Sequence, residues 1–442
     1  MLAAATRFSR TMFRRFVLPA LVTLVCLQTN AGLIAHAAGR TVRAVTVDGL
    51  PASTATHVAQ AVGADWVRSA LGYDGTGVTI AVIDSGVTDG HDDLEASHIG
   101  RFVDFVNFQS VPYDDYGHGT HVAGILAGDG ADSGGGRRGI APGVSLLVEK
   151  VLDETGQGYI SNVIAAIDYA IANRDTLGVR IINLSVAGPV SESYLVDPLA
   201  LAAKRAVDAG IVVVTAAGNL GTGSDGKPQY GGIGSPGNAP WVITVGASSH
   251  TATAMSRDDV VAPFSSRGPT PIDSLAKPDL VAPGVGIESL ADPSSTLFLT
   301  KPGARIWGTV TTASAPYLSL TGTSMSSPAV SGTIALMLQA NPALTPNMVK
   351  AILEYTAEAR PEYDALTEGA GFLNARGAVD AAAALSTERR VRSSALNDPT
   401  PWSHHVIWGN RRVSLTALDA ASPAWGPSVT WGAGVVPDGR SR

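Results

Sequence analysis

Five short apolar runs recur along the middle of the chain, and amphipathic helix patterns separate them. The runs are nearly continuous in Val, Ile, Leu and Ala, which is typical of strands that are covered on both faces. Because strands and helices alternate, the sequence predicts an α/β fold with a mostly parallel central sheet and right-handed crossovers. The runs span residues 78–83, 145–151, 180–184, 211–215 and 242–245.

Residues that are typical of helix ends indicate where several of the intervening helices begin or end. Ser161 can cap the start of one helix. Asp197, which a proline follows, opens another helix that Gly210 closes. Thr345 is also followed by a proline and predicts a third helix start.

Three polar blocks supply an aspartate, a histidine and a serine in that order: Asp84, His118 and Ser324. A hydroxyl needs a neighbouring base to lose its proton, and the base needs an anion that orients it and offsets its charge. Asp84 directly follows a predicted strand, at the edge where active sites of parallel sheets gather. Together the blocks indicate a nucleophilic hydrolase. They cover residues 82–86 (VIDSG), 118–124 (HGTHVAG) and 322–328 (GTSMSSP).

Each block has another interpretation when it is taken alone. Asp84 could simply end a strand in a turn, and Ser324 could be an ordinary helix-start hydroxyl. His118 and His121 are three residues apart and could share a metal ion, but no third ligand with usable spacing follows them. The occurrence of all three blocks in one chain favours the catalytic interpretation.

Asn219 is a fourth candidate, because it follows the apolar run at 211–215. A side-chain amide can stabilise the negative charge that acyl transfer builds on the scissile carbonyl oxygen. Asn is also common in turns that follow strands. The residues alone leave these two interpretations open.

These blocks resemble those of the subtilisin-like serine proteases (subtilases), in which the triad occurs in the order Asp, His, Ser. The resemblance extends from about residue 66 to 385 and includes non-catalytic stretches. It implies a subtilisin-like three-layer α/β fold and a serine endopeptidase. The non-catalytic stretches are residues 264–269 (FSSRGP), 277–284 (KPDLVAPG) and 369–374 (GAGFLN).

The resemblance also implies the role of each candidate. Ser324 is the expected nucleophile, His118 the base, Asp84 its orienting acid and Asn219 the oxyanion donor. His121 is then structural. A serine-carboxyl peptidase of the sedolisin type would need a Glu in place of His118. A catalytically inactive binding protein on this scaffold is disfavoured because all four residues are intact.

A substrate pocket is implied for the residue before the scissile bond. One wall is expected at 185–188, whose backbone would pair with substrate as an added strand. Its small, uncharged residues favour a large apolar side chain in the substrate. Asp114 and Asp115 are either carboxylates of the adjacent subsite, solvated loop residues or calcium ligands. The implied pocket residues are Ser185, Val186, Ala187, Gly188, Ala217, Gly218 and Gly234.

The N-terminus has the pattern of a secretory signal peptide, with several Arg residues before an apolar stretch and a small-x-small site at 35–37. The stretch at 16–27 is shorter than the ~20 residues of a membrane-spanning helix. We therefore expect no stable membrane span in the mature chain, with an uncleaved anchor as the alternative. Cys26 is the only cysteine, so the mature chain would have no disulfide.

Four regions are predicted: a signal peptide at 1–37, a short pro-segment or linker at 38–62, a peptidase domain at 63–385, and a tail at 386–442 with two Trp-Gly repeats. The pro-segment is far shorter than the inhibitory propeptide that is usual in secreted subtilases. Within the peptidase domain, residues 291–320 are expected to form an inserted loop or hairpin.

The net charge of −7 and the pI near 5.7 argue against nucleic acid as a partner. We expect a monomer that is secreted or held in the cell envelope and that acts on proteins or peptides. No cofactor is expected for catalysis, whereas structural calcium is compatible with the family. The metal ligands cannot be named from the sequence.

Overall fold

The computed structural model describes residues 58–250 and 258–386 together with short stretches on either side. The predicted signal peptide lies outside the described residues except for Ala37, and so does much of the predicted tail. The short stretches are residues 37, 39–44, 46–47, 402–408, 411–414 and 435–436.

The strands and helices follow the predicted alternation. In chain order the strands are β1 (Thr41–Ala44), β2 (Thr79–Asp84), β3 (Ile99–Asp104), β4 (Ser145–Lys150), β5 (Gln157–Tyr159), β6 (Val179–Leu184), β7 (Val186–Ala187), β8 (Val212–Ala216), β9 (Ile243–Ser248), β10 (Leu280–Pro283), β11 (Ile287–Leu290), β12 (Arg305–Ile306), β13 (Tyr317–Leu320), β14 (His405–Trp408), β15 (Arg411–Ser414) and β16 (Val435–Val436). The α-helices are α1 (Val58–Ala61), α2 (Ala64–Trp66), α3 (His118–Ala127), α4 (Ile160–Ala172), α5 (Arg174–Leu177), α6 (Pro198–Asp208), α7 (Thr296–Thr300), α8 (Thr323–Ala340), α9 (Pro346–Thr356) and α10 (Ala375–Ala384).

The central sheet has seven strands in the order β10-β9-β8-β6-β2-β4-β3, and all neighbours are parallel. The predicted fold class is therefore confirmed. The five predicted runs correspond to β2, β4, β6, β8 and β9 with small shifts at their ends. The edge strands β3 and β10 were not predicted.

Buried layers cover both faces of the sheet. Along β2, Ile80 and Val82 face the layer that contains α3 and α8, whereas Ala81 and Ile83 face the layer that contains α4 and α6. This alternation is the two-residue period of a strand. Asp84 is the next residue in this alternation after Val82, so its side chain lies on the α3 face of the sheet at the carboxyl end of β2.

Two of the three predicted helix starts are confirmed. The side chain of Asp197 accepts a hydrogen bond from Ala200 N at 2.9 Å, and Thr345 accepts one from Met348 N at 3.3 Å. The Ser161 prediction is wrong: α4 begins at Ile160 and has no side-chain cap.

The predicted insertion at 291–320 lies largely between two paired strands. β11 and β13 run antiparallel, and the segment between them contains α7 and β12. Within the described part of the tail, Ser403 contacts the C-terminal end of α9: its N donates to Ala357 O at 2.8 Å and its Oγ donates to Glu354 O at 2.6 Å. Among the described residues, no helix combines the length and the apolar character that crossing a bilayer requires.

Candidate active site

Asp84 and His118 meet at the carboxyl edge of the sheet. Nδ1 of His118 lies 2.7 Å from Oδ1 of Asp84, and both side chains are fully buried. Because a carboxylate can only accept, Nδ1 carries the proton, and a neutral ring then presents Nε2 as an acceptor. Nε2 is buried and has no hydrogen-bond partner among the described residues.

Asp114 fixes the start of α3, and with it the position of His118. It is buried and accepts hydrogen bonds from Ser85 Oγ and Gly117 N, both at 2.8 Å. It also accepts bonds from Thr120 N at 2.8 Å and from Thr120 Oγ1 at 2.7 Å. Asp114 is therefore neither a solvated loop residue nor a subsite carboxylate, because protein groups use both of its oxygens.

Asp115 has a different environment. Its Oδ1 pairs with Nζ of the buried Lys150 at 2.6 Å, and the same ammonium donates to Ser85 O at 2.7 Å. Burial is the largest influence on Asp115 and raises its pKa above the ordinary value. Lys150 thus links the loop before His118 to the residue after Asp84.

His121 is a structural residue. Its Nε2 donates to Ile287 O at 3.0 Å and Leu318 O at 3.1 Å, and the ring is fully buried. Burial lowers the pKa of His121 to about 3, so the ring is neutral in the folded protein. These bonds attach α3 to β11 and β13. They exclude the arrangement in which His118 and His121 share a metal ion through this nitrogen.

Ser324 lies in the first turn of α8. Its Oγ donates to Ser185 O at 2.7 Å, and Ser185 Oγ donates to Ser324 O at 2.9 Å. Ser185 directly follows β6, which is the parallel neighbour of β2. The structure therefore brings Ser324 to the sheet edge that carries Asp84 and His118.

Asn219 is oriented by the residue that precedes Ser324. Its Oδ1 accepts from Thr323 N at 3.1 Å and from Thr323 Oγ1 at 3.0 Å. Its Nδ2 is buried without a hydrogen-bond partner among the described residues. Gly218, with φ 107°, occupies the left-handed region that favours glycine and turns the chain into this position.

A cleft of about 1080 Å³ opens beside these residues. Ala187, Gly188, Gly218, Asn219 and Gly234 line it, together with Tyr116 and Leu220. Four of the seven predicted pocket residues thus come together with the predicted oxyanion donor.

Three other predicted pocket residues, Ser185, Val186 and Ala217, are fully buried and do not line the cleft. A Cβ on Gly234 would lie 3.0 Å from Ala187 Cβ. A larger residue at Gly234 would therefore crowd the wall.

A sequence profile of the subtilase family matches residues 75–379. The chain belongs to the subtilase family. It is a serine-type endopeptidase, and its substrates are proteins or peptides.

Curated relatives cover most of this subtilase. It is 41% identical over 331 residues to serine protease AprX of Bacillus subtilis (strain 168), covering 74% of this chain and 71% of that protein. It is 35% identical over 327 residues to subtilisin DY of Bacillus licheniformis, covering 74% of this chain and 99% of that protein. An intracellular serine protease of Paenibacillus polymyxa is 36% identical over 268 residues, or 60% of this chain and 68% of that protein.

Two parts of the subtilase cleft were not predicted from the sequence. Tyr116 lines it, and its ring centroid is 6.3 Å from that of His118. β5 forms a second edge of the cleft, opposite the edge formed by β7. The only sequence signal for β5 is a glycine on each side of Gln157. A Cβ on Gly158 would lie 2.2 Å from Val151 O, so the backbone is closely packed there.

One group of potential metal ligands occurs among the described residues: His91, Asp93 and Asp132. Asp93 accepts from Asp132 N at 2.6 Å and from Tyr317 OH at 2.6 Å. His91 accepts from Asp93 N through Nδ1 at 3.0 Å and donates to Pro316 O through Nε2 at 2.9 Å. Both ring nitrogens of His91 are therefore engaged by protein groups, so His91 does not offer a metal ligand in this arrangement.

Proposed function

We propose that this subtilase cleaves peptide bonds with Ser324 as nucleophile, His118 as general base and acid, and Asp84 as the orienting anion. The observation that carries the proposal is the bond between Asp84 and His118. It fixes the ring so that the buried Nε2 is an acceptor at the edge where Ser324 lies.

The chemistry follows from this tautomer. Ser324 Oγ turns from Ser185 O and gives its proton to Nε2 as it attacks the substrate carbonyl carbon. His118 then gives the proton to the leaving amine, and Asp84 stabilises the imidazolium that forms in between. A water molecule repeats the sequence on the acyl-enzyme and releases the new carboxylate.

Asn219 and the backbone N–H of Ser324 would hold the oxyanion. The amide of Asn219 is fixed through its oxygen, so Nδ2 is pre-oriented before the charge develops. The first turn of a helix also favours a negative charge. The side chain of Asn219 therefore does not have to reorganise as the oxyanion forms.

The cleft would favour a large apolar side chain before the scissile bond. Its lining includes small residues at Ala187, Gly218 and Gly234 and the apolar side chain of Leu220. Within the described part of the chain no carboxylate lines this cleft, so a buried Lys or Arg would lose hydration without a partner. We also propose that the protein is a monomer, exported after removal of residues 1–37.

A peptide series that varies only at this position tests the preference. The kcat/KM should rank Phe, Leu and Tyr above Lys, Arg and Asp. Burial of such a side chain contributes about 1.5–3 kcal/mol, equivalent to a factor of about ten to a hundred. A tenfold preference for Lys or Arg would show that an acidic group outside the described lining faces the pocket. The Ser324→Ala variant controls for contaminating peptidases.

A further inference from the structure

The segment between β11 and β13, residues 291–316, contacts the chain before and after α3, the helix that begins with His118. Its helix α7 carries two buried apolar side chains, Leu297 and Phe298, which are 3% and 7% exposed. Both belong to the core cluster that also contains Val122 of α3. The segment and the helix of the proposed general base therefore share one core.

The first contact is a pair of backbone hydrogen bonds to the loop before His118. Thr296 N donates to Asp115 O at 2.9 Å, and Leu297 N donates to Tyr116 O at 3.0 Å. Thr296 and Leu297 are the first two residues of α7, and the N–H groups of a helix's first turn have no partner within the helix. α7 therefore uses these donors to hold two carbonyl groups of the loop.

Gly117 makes this contact tight. A Cβ on Gly117 would lie 2.8 Å from Ser295 Cβ and 3.7 Å from Leu297 Cβ. Ser295 is fully buried, and its Oγ donates to Asp292 O at 2.7 Å, so this side chain is itself held in place. Because Gly117 directly precedes His118, a shift of α7 would displace the first residue of α3.

The residues before His118 are held from two sides. On one side, Asp114 accepts the N–H of Gly117 at 2.8 Å. On the other side, α7 donates to the two preceding carbonyl groups. The bond between His118 and Asp84 orients the ring. The backbone contacts fix the start of α3, and with it the distance from the ring to Ser324.

The segment makes the same kind of contact beyond the other end of α3. Thr309 N and Val310 N donate to Asp132 O at 2.9 and 3.1 Å. Asp132 follows Ala127, the last residue of α3, by five positions. Because α3 has ten residues, it is about 15 Å long, and this contact is remote from His118. The two ends of the segment can therefore be disturbed separately.

We propose that α7 is a positioning element for the general base. The N–H groups of Thr296 and Leu297 hold the loop before His118 and keep Nε2 within reach of Ser324. This inference rests on the proposed function, because the position of the ring matters only if His118 takes the proton of Ser324. Within the described part of the chain, no residue of 291–316 lines the cleft. α7 therefore acts on kcat through His118 and does not act on KM.

The Thr296→Pro variant tests this role, because it removes the N–H that donates to Asp115 O. Proline is well tolerated at the first position of a helix. Ser295, the preceding residue, has φ −75° and ψ 155°, an extended conformation that suits a residue before proline. α7 should therefore keep its conformation. Thr296→Ala is the matched control, because it keeps the N–H and removes only the side chain beyond Cβ.

Steady-state kinetics on one peptide should show kcat at least fivefold lower in Thr296→Pro, with KM within twofold of wild type. A displacement of about 1 Å at a reacting group can cost about 100-fold in rate, so a smaller shift of His118 is enough for this loss. Thr296→Ala should keep kcat within twofold of wild type. Saturating label from a fluorophosphonate counts the folded active sites, so each kcat refers to folded enzyme.

Thr309→Pro separates positioning from a general loosening of the fold. It removes a comparable donor to Asp132 O, and its kcat should stay within twofold of wild type even where urea unfolding shows a lower midpoint. Leu297→Ala and Leu299→Ala form a second pair, because these side chains are 3% and 61% exposed on the same helix. Leu297→Ala should lower kcat at least threefold, and Leu299→Ala should leave it within twofold. This pair also decides the question if Thr296→Pro does not fold.

A kcat of folded Thr296→Pro within twofold of wild type would overturn the inference. An equal fall of kcat in Thr309→Pro would also overturn it, and so would a raised KM with an unchanged kcat. If wild type and the Thr296 variants cleave the peptide equally well, this inference fails and the proposed function stands. If wild type cleaves no peptide, the proposed function fails, and this inference fails with it.

Discussion

The side-chain oxygen of Asn219 accepts two hydrogen bonds from Thr323, from N at 3.1 Å and from Oγ1 at 3.0 Å. Thr323 precedes the proposed nucleophile, so the same turn that carries Ser324 also orients the amide. Nδ2 of Asn219 is left as a buried donor without a protein partner among the described residues. This geometry favours a role for the Asn219 amide in stabilising the transition state rather than in binding the substrate.

The Asn219→Ala variant should lower kcat and leave KM nearly unchanged, because the amide donor acts mainly on the oxyanion. The expected loss is about 10²–10³-fold, the magnitude known for such a donor in subtilisin. Asn219→Asp keeps an acceptor for Thr323 but removes the donor, and it should be at least as impaired. Steady-state kinetics on one peptide measure kcat and KM for both variants. A raised KM with an unchanged kcat would contradict the assignment.

Ser324→Ala should leave a folded protein whose turnover is reduced by about 10⁶-fold, the loss known for the nucleophile of subtilisin. Ser327→Ala is the matched control, because Ser327 is buried in the same helix turn and its Oγ donates to Thr323 O within that helix. Its activity should stay within tenfold of wild type. Activity of Ser324→Ala within tenfold of wild type would rule out Ser324 as nucleophile.

Asp114→Asn should lower both stability and kcat. The buried carboxylate accepts four hydrogen bonds, and an amide in its place cannot accept on its nitrogen. A buried polar group left unsatisfied costs about 1–3 kcal/mol. Urea unfolding should show this loss, and kcat should fall because α3 positions His118. An unchanged unfolding midpoint would argue that Asp114 does not anchor the helix.

His121 should make the fold sensitive to acid. Burial lowers the pKa of His121 to about 3, whereas the unfolded chain binds this proton below pH about 6.5. The stability that the neutral His121 ring contributes is fully present above pH about 6.5. It is lost as the pH falls toward 3, because the unfolded state then binds more protons than the folded state. For one proton, the free energy of unfolding changes by about 1.4 kcal/mol per pH unit.

Urea unfolding between pH 4 and 6.5 checks this slope. The Ser324→Ala background removes self-digestion, and His121→Gln keeps a donor for Ile287 O and Leu318 O while removing the titrating ring. The free energy of unfolding should fall less steeply with acid in His121→Gln than in its parent. Equal slopes would mean that His121 takes up no proton on unfolding.

The sequence predicts the strands that are buried on both faces and the short motifs whose residues are adjacent in the chain. β2 and β8 are continuous apolar runs, so their burial is visible in the residues. β3 includes exposed Gly100 and Arg101 at the sheet edge, which break its apolar run, and β10 is only four residues long.

Long-range contacts of polar side chains could not be predicted. The carboxylate of Asp114 gains its role only when the fold brings Ser85 to it across 29 positions of the chain. The position of β1 in the cleft depends on its pairing with both β5 and β7. A segment as short as Thr41–Ala44 has no pattern that specifies those partners.

The central claim is that the Asp84–His118 pair activates Ser324. A fluorophosphonate probe tests it most directly, because it bonds covalently to an activated serine. Peptide mapping of the labelled protein should place the probe on Ser324, and labelling of His118→Ala should be at least a hundredfold slower. Labelling of a different serine, or equal labelling rates in wild type and His118→Ala, would contradict the account.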